Sequence, residues 1–335
     1  MPWPKAGTLL LSIALVATGC AAPADRDPTG PEATEAQAAL AVSNTWAVKR
    51  SVSPWRYQPV LGMINGKLYL VGGTRGVPSA MARVDAYDIA SNTWSQVASL
   101  PSPRFGLAGA TMINGKLYVA GGLNANAVGT RTLFVYDPAT NTWSRKADLP
   151  QAVCGPGAQG AIAGKLYVYV GCHASLVNGR VFFRYDPATD MWVKRATPPV
   201  DHVGGSGTAV AGKFYLVSGS TADGNFTGQL DSYDPATNTW AVKQGIGIHP
   251  QGPAAAALGG KLYVAGGMSF EFETDSLLAY DPTTNRWTAR ANLPNKVAWG
   301  AFVGASGRLY YVTGVEYMQS PCCISGPSRL WVYTP

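Results

Sequence analysis

The chain has 335 residues and a formal net charge of +7, and 13% of its residues are charged while 47% are hydrophobic. A charged fraction about half the usual globular value of roughly 25% excludes intrinsic disorder for most of the chain. The 39 glycines and 24 prolines indicate many turns, and the 16 tyrosines and 10 tryptophans favour strands. After residue 50 no segment keeps an apolar period of 3.6 residues for three turns. Long amphipathic helices and coiled coils are therefore excluded.

Residues 1–19 have the organisation of an export signal. Lys5 supplies a positive charge, a short apolar stretch follows, and the small residues before Cys20 resemble the cleavage box of bacterial lipoproteins. In that case Cys20 receives lipid and anchors the protein in the bacterial cell envelope, on the periplasmic or cell-surface side. The alternative is an ordinary secretory signal and a secreted protein. Residues 20–42, rich in Ala, Pro and acidic residues, predict a disordered tether.

One pattern recurs six times along the rest of the chain. Its first half, as in NGKLYLVGG at 65–73, is a turn followed by a short strand, and its second half, as in YDPATNTW at 136–143, is a turn followed by Trp. The glycine before the basic residue lies at positions 66, 115, 164, 212, 260 and 307, which gives a period of 47 to 49 residues. A period of this length made of short strands is typical of propellers and similar arrays.

Each part of the repeat has a physical role. Asn65-Gly66 predicts a tight hairpin turn whose two residues have positive φ. The strand that follows alternates apolar residues, and the Gly-Gly pair ends it where neighbouring backbones approach closely. Trp94 and its equivalents are wide apolar side chains suited to packing between adjacent sheets.

This pattern resembles that of the kelch family of β-propellers, and the resemblance covers residues 43–335. It implies an all-β, six-bladed propeller in which four-stranded antiparallel blades surround a central channel. The last repeat ends at Pro335 without a fourth strand, whereas an extra Ser-Asn-Thr-Trp at 43–46 precedes the first full repeat. We therefore expect the strand around Trp46 to complete the last blade and close the ring, in a monomer.

Strand order assigns the connecting loops to one face or the other. The connections from a second to a third strand, and from a fourth strand to the next first strand, open on the same face, which we call the loop face. Counting back from the hairpin turns predicts six residues around the channel mouth on that face: Arg56, Arg104, Cys154, His202, His249 and Lys296. Its other loops hold further candidates: Cys172, His173, Glu316, Tyr317, Cys322 and Cys323.

The cysteines other than Cys20 are disulfide candidates, because disulfides persist outside the cytoplasm. Cys154 and Cys172 lie about nine residues on either side of one hairpin turn, so they are expected to be nearly opposite. Free thiols or metal ligation are the alternatives. The adjacent Cys322 and Cys323 either form a vicinal disulfide or each pair elsewhere.

The ligand-binding candidates are aromatic, basic and acidic side chains assigned to the loop face: Trp55, Arg56, Arg104, His173, His202, His249, Glu316 and Tyr317. Arg56 and Arg104 either grip a ligand carboxylate or bond the backbone and carboxylates of adjacent blades. His202 and His249 are weak metal candidates, and without a tight ligand spacing no cofactor is predicted.

The sequence contains no catalytic serine elbow, phosphate loop or dinucleotide fingerprint. It therefore favours a binding protein of the cell envelope that takes a protein or glycan partner at the loop face. An exported chain needs no nucleic-acid partner to account for its pI of about 9.1.

Two enzyme classes remain as alternatives. The first is a carbohydrate enzyme similar to the six-bladed kelch sialic acid mutarotases, in which Arg56 or Arg104 would hold the carboxylate and Glu316 or His249 would move the proton. The second, less favoured, resembles the kelch copper oxidases, with His202 and His249 as ligands and Tyr317 nearby. Those oxidases typically have seven blades.

Overall fold

A computed structural model describes residues 43–76, 79–153, 155, 157–171, 180–221, 223–269, 272–312, 315–316 and 328–335. The described residues belong to one compact unit, Val42–Pro335, and the residues before it lie outside the described part of the chain. This unit is all-β and contains six four-stranded antiparallel sheets. In the part of the chain that the structure describes, no helix has the length and hydropathy needed to cross a membrane.

The first strand of the described chain is β1 (Thr45–Val52). Sheets 1 to 3 come after it, and each consists of four consecutive strands that follow one another from the inner to the outer edge. Sheet 1 contains β2 (Val60–Ile64), β3 (Lys67–Val71), β4 (Val84–Asp88) and β5 (Thr93–Gln96). Sheet 2 contains β6 (Ala110–Ile113), β7 (Lys116–Ala120), β8 (Leu133–Asp137) and β9 (Thr142–Lys146). Sheet 3 contains β10 (Ala158–Ile162), β11 (Lys165–Gly171), β12 (Arg180–Asp186) and β13 (Met191–Lys194).

Sheets 4 to 6 repeat this order, with short two-stranded additions. Sheet 4 contains β14 (Ser206–Val210), β15 (Lys213–Val217), β16 (Leu230–Asp234) and β17 (Thr239–Lys243). Sheet 5 contains β18 (Ala254–Leu258), β19 (Lys261–Ala265), β22 (Leu277–Asp281) and β23 (Arg286–Ala289), with the hairpin β20 (Met268–Ser269) and β21 (Phe272–Glu273) between them. Sheet 6 contains β25 (Ala301–Ala305), β26 (Arg308–Val312), β28 (Ser328–Thr334) and β1, beside the pair β24 (Val297–Ala298) and β27 (Val315–Glu316).

The six sheets are the blades of a β-propeller, as the repeat predicts. Each inner strand contacts the inner strands of the two neighbouring sheets, including β25 of sheet 6 against β2 of sheet 1. A buried apolar cluster fills each space between neighbouring sheets. The outer strand of sheet 6 comes from the N-terminal end of the described chain, because β1 pairs with β28 and sets Trp46 opposite Tyr333.

A repeated clasp joins each sheet to the next and explains the Tyr-Asp-turn-Trp half of the repeat. In sheet 2, Trp143 donates its indole N–H to the carbonyl of Ala98 (2.8 Å), and the Ala98 N–H donates to Asn141 Oδ1 (2.9 Å). The Tyr136 hydroxyl donates to the same oxygen (2.8 Å). The same tryptophan-to-carbonyl bond recurs at the other five junctions: Trp46–Ala291, Trp94–Arg50, Trp192–Ala147, Trp240–Ala196 and Trp287–Gln244.

Lysines at the hairpin tips lie on the face opposite the loop face, and they form ion pairs there. Lys116 Nζ lies 2.8 Å from Asp137 Oδ2, and this ammonium, with the Ala139 N–H, lowers the pKa of Asp137. The turn itself has the expected positive φ, as at Asn65 (48°) and Gly66 (77°). Equivalent pairs occur in four other sheets: Lys67–Asp88, Lys165–Asp186, Lys213–Asp234 and Lys261–Asp281.

Candidate functional site

A cavity of about 400 Å³ lies inside the ring of inner strands. Its lining is uncharged and consists largely of glycine, alanine and other small residues. Small residues are required here because the inner strands crowd one another: a Cβ at Gly304 would lie 2.0 Å from the carbonyl oxygen of Ala257. Polar or aromatic residues occur at seven lining positions: Gln58, Thr111, Gln159, Ser206, Thr208, Trp299 and Phe302.

The mouth of this cavity on the loop face is framed by residues that immediately precede the inner strands. We call them the mouth belt: Gln58, Gly106, Gly204, Gly252 and Trp299. All five have φ between 52° and 65°, the left-handed region. Their backbones form a chain of hydrogen bonds from sheet to sheet, in which Gly106 N–H donates to Gln58 O (3.1 Å), Gln58 N–H to Trp299 O (3.0 Å), Trp299 N–H to Gly252 O (3.0 Å) and Gly252 N–H to Gly204 O (2.7 Å).

Two members of the mouth belt are not glycine, although their backbone favours glycine. Gln58 has φ 52° and Trp299 has φ 59°. A large side chain in this region stores strain of about 1–3 kcal/mol, and such positions cluster at ligand sites. The Trp299 indole is half-buried and packs on the glycines beside it, since a Cβ at Gly252 would lie 2.5 Å from its ring. An aromatic residue with a strained backbone therefore lies at the mouth of the cavity.

Gln159 of β10 is a lining residue whose side-chain amide packs against sheet 2. Its side chain is 5% exposed, and its Nε2 donates to the carbonyl oxygen of Tyr118 (2.7 Å). That bond fixes the orientation of the amide, and Oε1 has no hydrogen-bond partner among the described residues. The side chain needs the glycine at 109, where a Cβ would lie 2.8 Å from the Gln159 Cβ. Sheets 3 and 6 are three positions apart in a ring of six, so Gln159 and Trp299 come from opposite sides of the cavity.

Arg56, a predicted ligand-binding residue, is fully buried and bonded within the protein. Its guanidinium forms an ion pair with Asp85 and also donates to the carbonyls of Gly72 (3.3 Å) and Arg83 (3.2 Å). Arg83 bonds the same carboxylate from its half-exposed position (2.7 Å). Burial lowers the pKa of Arg56, and the Asp85 carboxylate opposes that shift. The guanidinium of Arg56 thus bonds the backbone and a carboxylate of its own blade, sheet 1, and not those of an adjacent blade, while ligand binding by it stays a prediction.

His202 occupies the same place in sheet 4 that Arg56 occupies in sheet 1. It lies 29 residues before Asp231, as Arg56 lies 29 residues before Asp85, and its Nε2 is 3.1 Å from Asp231 Oδ2. The Nδ1 atom is 2.8 Å from the carbonyl oxygen of Ser218, and the His202 ring is buried. Gln229 bonds the other carboxylate oxygen of Asp231 (2.8 Å), as Arg83 bonds Asp85. Both ring nitrogens of His202 therefore already have neighbours within the protein.

The other described candidates lie apart from the cavity lining. Arg104 is 8% exposed, donates to the carbonyl of Pro103 (2.7 Å), and has its pKa lowered by burial and by Arg145. His249 is exposed and Trp55 is half-buried. Within the described ranges, no group of three or more His, Cys, Asp or Glu side chains is arranged to hold a metal ion.

Several sequence candidates lie outside the described residues. Glu316 belongs to β27, which pairs it with Val297, but its side chain is not described. The cysteine and loop predictions that fall outside are Cys20, Cys154, Cys172, His173, Tyr317, Cys322 and Cys323.

The residues that frame the cavity are not among the sequence candidates. Counting along the repeat assigns the mouth to Arg56, His202 and their equivalents, whereas the members of the mouth belt lie two or three residues later in five of the six repeats. One sequence pattern could have indicated the mouth belt, because a glycine precedes the inner strand at positions 106, 155, 204 and 252. Gln58 and Trp299 break that pattern.

Comparison with known proteins agrees with this architecture. The family model described as the KLHDC2/KLHL20/DRC7 kelch-repeats domain matches residues 109–314, and the kelch motif model matches residues 56–101. The solved structure of YjhT superposes with a TM-score of 0.68 at 17% sequence identity, over 84% of this chain and 95% of that one. No curated protein matches the sequence.

Proposed function

Because the chain belongs to the kelch-repeat family of β-propellers, we propose that it is a binding protein that takes a protein or glycan partner at its loop face. The export signal and the cysteine at position 20 support a place in the bacterial cell envelope, anchored by lipid. The propeller would act there as a rigid support that holds its loops and channel mouth toward the partner.

The observation that carries this proposal is Trp299 at the channel mouth, an aromatic residue whose backbone is strained. Trp299 keeps a left-handed backbone in a position where three of the four other mouth-belt members are glycine. A glycine would adopt this backbone without strain, so the conformation of the main chain gives no reason for an indole at this position. Large, rigid aromatic side chains are enriched among the residues that dominate binding at interfaces. Trp299 is therefore the residue most suited to anchor a partner.

The mutarotase-like alternative is supported less well by the same geometry. It needs Arg56 or Arg104 to face a ligand carboxylate, yet Arg56 is fully buried against Asp85 and neither arginine lines the cavity. The oxidase-like alternative needs His202 as a ligand, and its two ring nitrogens have Ser218 and Asp231 as neighbours. Catalysed anomer exchange of sialic acid, followed by NMR, would restore the first alternative.

The experiment compares capture of envelope components by three forms of the full chain. Wild type, Trp299→Gly and Lys116→Ala are immobilised, exposed to an envelope extract, and the bound protein and glycan are quantified by mass spectrometry. Lys116 is the matched control because it lies at a hairpin tip on the opposite face. The proposal predicts capture by wild type and Lys116→Ala and its loss in Trp299→Gly. Equal capture by both variants, with both folded, would reject the loop face as the binding site.

A further inference from the structure

The outer rim of the propeller exposes an apolar patch where sheets 3 and 4 meet. Met191 and Val193 of β13 are 60% and 39% exposed, and Val242 of β17 is 60% exposed. We call these three residues the rim wedge. They make up half of the six large hydrophobic side chains that are exposed in the described part of the chain.

The alternation of side chains along the strands turns all three toward the same space. Trp192 packs in the cluster between sheets 2 and 3, so its neighbours Met191 and Val193 face the other side of the sheet, toward sheet 4. Trp240 packs in the cluster between sheets 3 and 4, and Val242, two residues later, faces the same way. Because β13 and β17 are the outer strands of their sheets, the rim wedge opens to solvent.

The repeat itself does not require this patch. Counted from the tryptophan of each outer strand, the corresponding places at the junction of sheets 1 and 2 hold Thr93, Ser95 and Arg145. At each of the other five junctions, at most one of the three places carries an exposed large hydrophobic side chain. Exposed apolar side chains that are grouped in this way mark interaction surfaces.

Basic side chains flank the rim wedge. Lys194 and Arg195 follow it in sheet 3, and Lys243 ends β17. Lys194 is exposed, and Arg195 donates to the Tyr233 hydroxyl (2.9 Å), which holds its charge at the junction. Asp190, the acid before β13, is bonded into the clasp on the side of sheet 2. The patch therefore combines apolar side chains with positive charge.

This combination fits an anionic bilayer better than a protein, because the centres of protein interfaces are depleted of lysine. Basic side chains beside a membrane are attracted to anionic headgroups, and an acyl chain anchors a protein stably only with a second signal such as a basic patch. We infer that the rim wedge docks the propeller edge-on to an anionic lipid surface, where its apolar side chains enter the interfacial region. The inference rests on the proposed place in the cell envelope. Alone, the rim wedge binds reversibly, and it reinforces the lipid on Cys20.

The test is co-sedimentation with vesicles of phosphatidylglycerol and phosphatidylethanolamine. The mature chain, residues 20–335, carries Cys20→Ala so that no acyl chain contributes. It should bind, and adding Met191→Thr, Val193→Ser and Val242→Gln should weaken binding about tenfold or more, because apolar groups are withdrawn from the bilayer. The fold should accept these residues, since β5 carries them at the same places. Val48→Gln is the matched control: this exposed valine also precedes basic residues, and its loss should leave binding unchanged.

A second set of measurements tests the charge. Replacing Lys194 and Lys243 by glutamine should weaken binding to the anionic vesicles about fivefold per lysine, and added salt should weaken binding of the chain with its rim wedge intact. Vesicles of phosphatidylcholine alone should bind far less. Equal binding to both vesicles, unchanged binding when the rim wedge is replaced, or no binding at all overturns the inference.

Hydrogen–deuterium exchange on the chain with its rim wedge intact needs no substitution in the patch. Anionic vesicles should slow exchange at residues 191–195 and 239–243 and leave the equivalent residues 93–97 unchanged. Protection elsewhere overturns the inference, as does a rim-wedge variant that binds vesicles normally but loses a protein from the envelope extract. If vesicle binding fails while Trp299-dependent capture persists, only this inference is rejected. If capture also ignores Trp299, the proposed function is rejected as well.

Discussion

The backbone N–H of Gln58 donates to the carbonyl oxygen of Trp299 (3.0 Å), joining the first sheet to the last at the channel mouth. These are the two members of the mouth belt that are not glycine, and they are neighbours in it. Strain is therefore concentrated at one side of the mouth, where both side chains also line the cavity. The backbone contact between sheets 1 and 6 therefore lies at the candidate site.

The strain at Trp299 gives a stability prediction. Trp299→Gly should be more stable than Trp299→Ala by about 1 kcal/mol, because glycine adopts a φ of 59° without strain and alanine does not. Both variants lose the same indole contacts, so their difference isolates the backbone. Urea unfolding of the two variants measures it. Equal stabilities, or a more stable alanine variant, would show that the backbone there is not strained.

The buried pairs Arg56–Asp85 in sheet 1 and His202–Asp231 in sheet 4 allow the cost of removing a buried carboxylate to be compared at equivalent positions. Asp85→Ala should reduce the free energy of unfolding by about 3–5 kcal/mol, because it leaves the fully buried Arg56 without its counter-charge. Asp231→Ala should cost less, because a histidine can lose its charge whereas an arginine stays protonated. Denaturant unfolding of the two variants tests the order of the costs. A larger loss in Asp231→Ala would contradict this account.

The clasp of sheet 3 predicts a specific sensitivity to acid. Asp190 takes the place of asparagine there, and the bond from the Tyr185 hydroxyl lowers the pKa of Asp190 from its ordinary value. Its folded pKa lies below the unfolded value, so its stabilising contribution is complete above about pH 4 and is lost as the pH falls through the folded pKa. Asp190→Asn should therefore become more stable relative to wild type as the pH drops below about 4. Unfolding curves at neutral and acidic pH measure this difference.

The reciprocal change provides the control for the acid prediction. Asn141 holds the same place in sheet 2 and accepts from Tyr136 and Ala98. Asn141→Asp should add the acid sensitivity that Asp190→Asn removes. If both variants follow wild type at every pH, the clasp does not control the acid response.

The proposed lipid anchor can be tested at one residue, Cys20. In Cys20→Ala the protein should move from the membrane fraction to the soluble envelope or medium, because a buried acyl chain contributes about 0.8 kcal/mol per methylene to membrane binding. Fractionation followed by immunodetection measures the change. Unchanged membrane retention would reject lipidation at this cysteine.

The blade arrangement could be predicted because its signals are local and repeated. Turn residues, a short strand and a clasping tryptophan recur at nearly constant spacing, so errors do not accumulate from one blade to the next. The mouth could not be located as well by counting, since strand spacing varies: Tyr57 pairs with a residue 17 positions later, whereas Phe105 pairs 18 positions later.

The burial of Arg56 also depends on a distant residue. Its partner Asp85 lies two positions before the repeated tyrosine, where Phe134 and Phe183 stand in the next two blades. An acid at that place in sheets 1 and 4 alone was the available signal for a buried pair. No sequence pattern indicates the unbonded side-chain oxygen of Gln159, because that feature depends on how the neighbouring backbones pack.

The most direct test of the proposed binding site is hydrogen–deuterium exchange of the full chain, with and without the fraction that it captures from envelope extract. Binding at the mouth should slow exchange in residues 56–60 and 296–305 and leave the hairpin at 113–117 unchanged. Protection at the hairpin tips or outer strands, with no change at the mouth, would contradict the assignment of the loop face as the binding site.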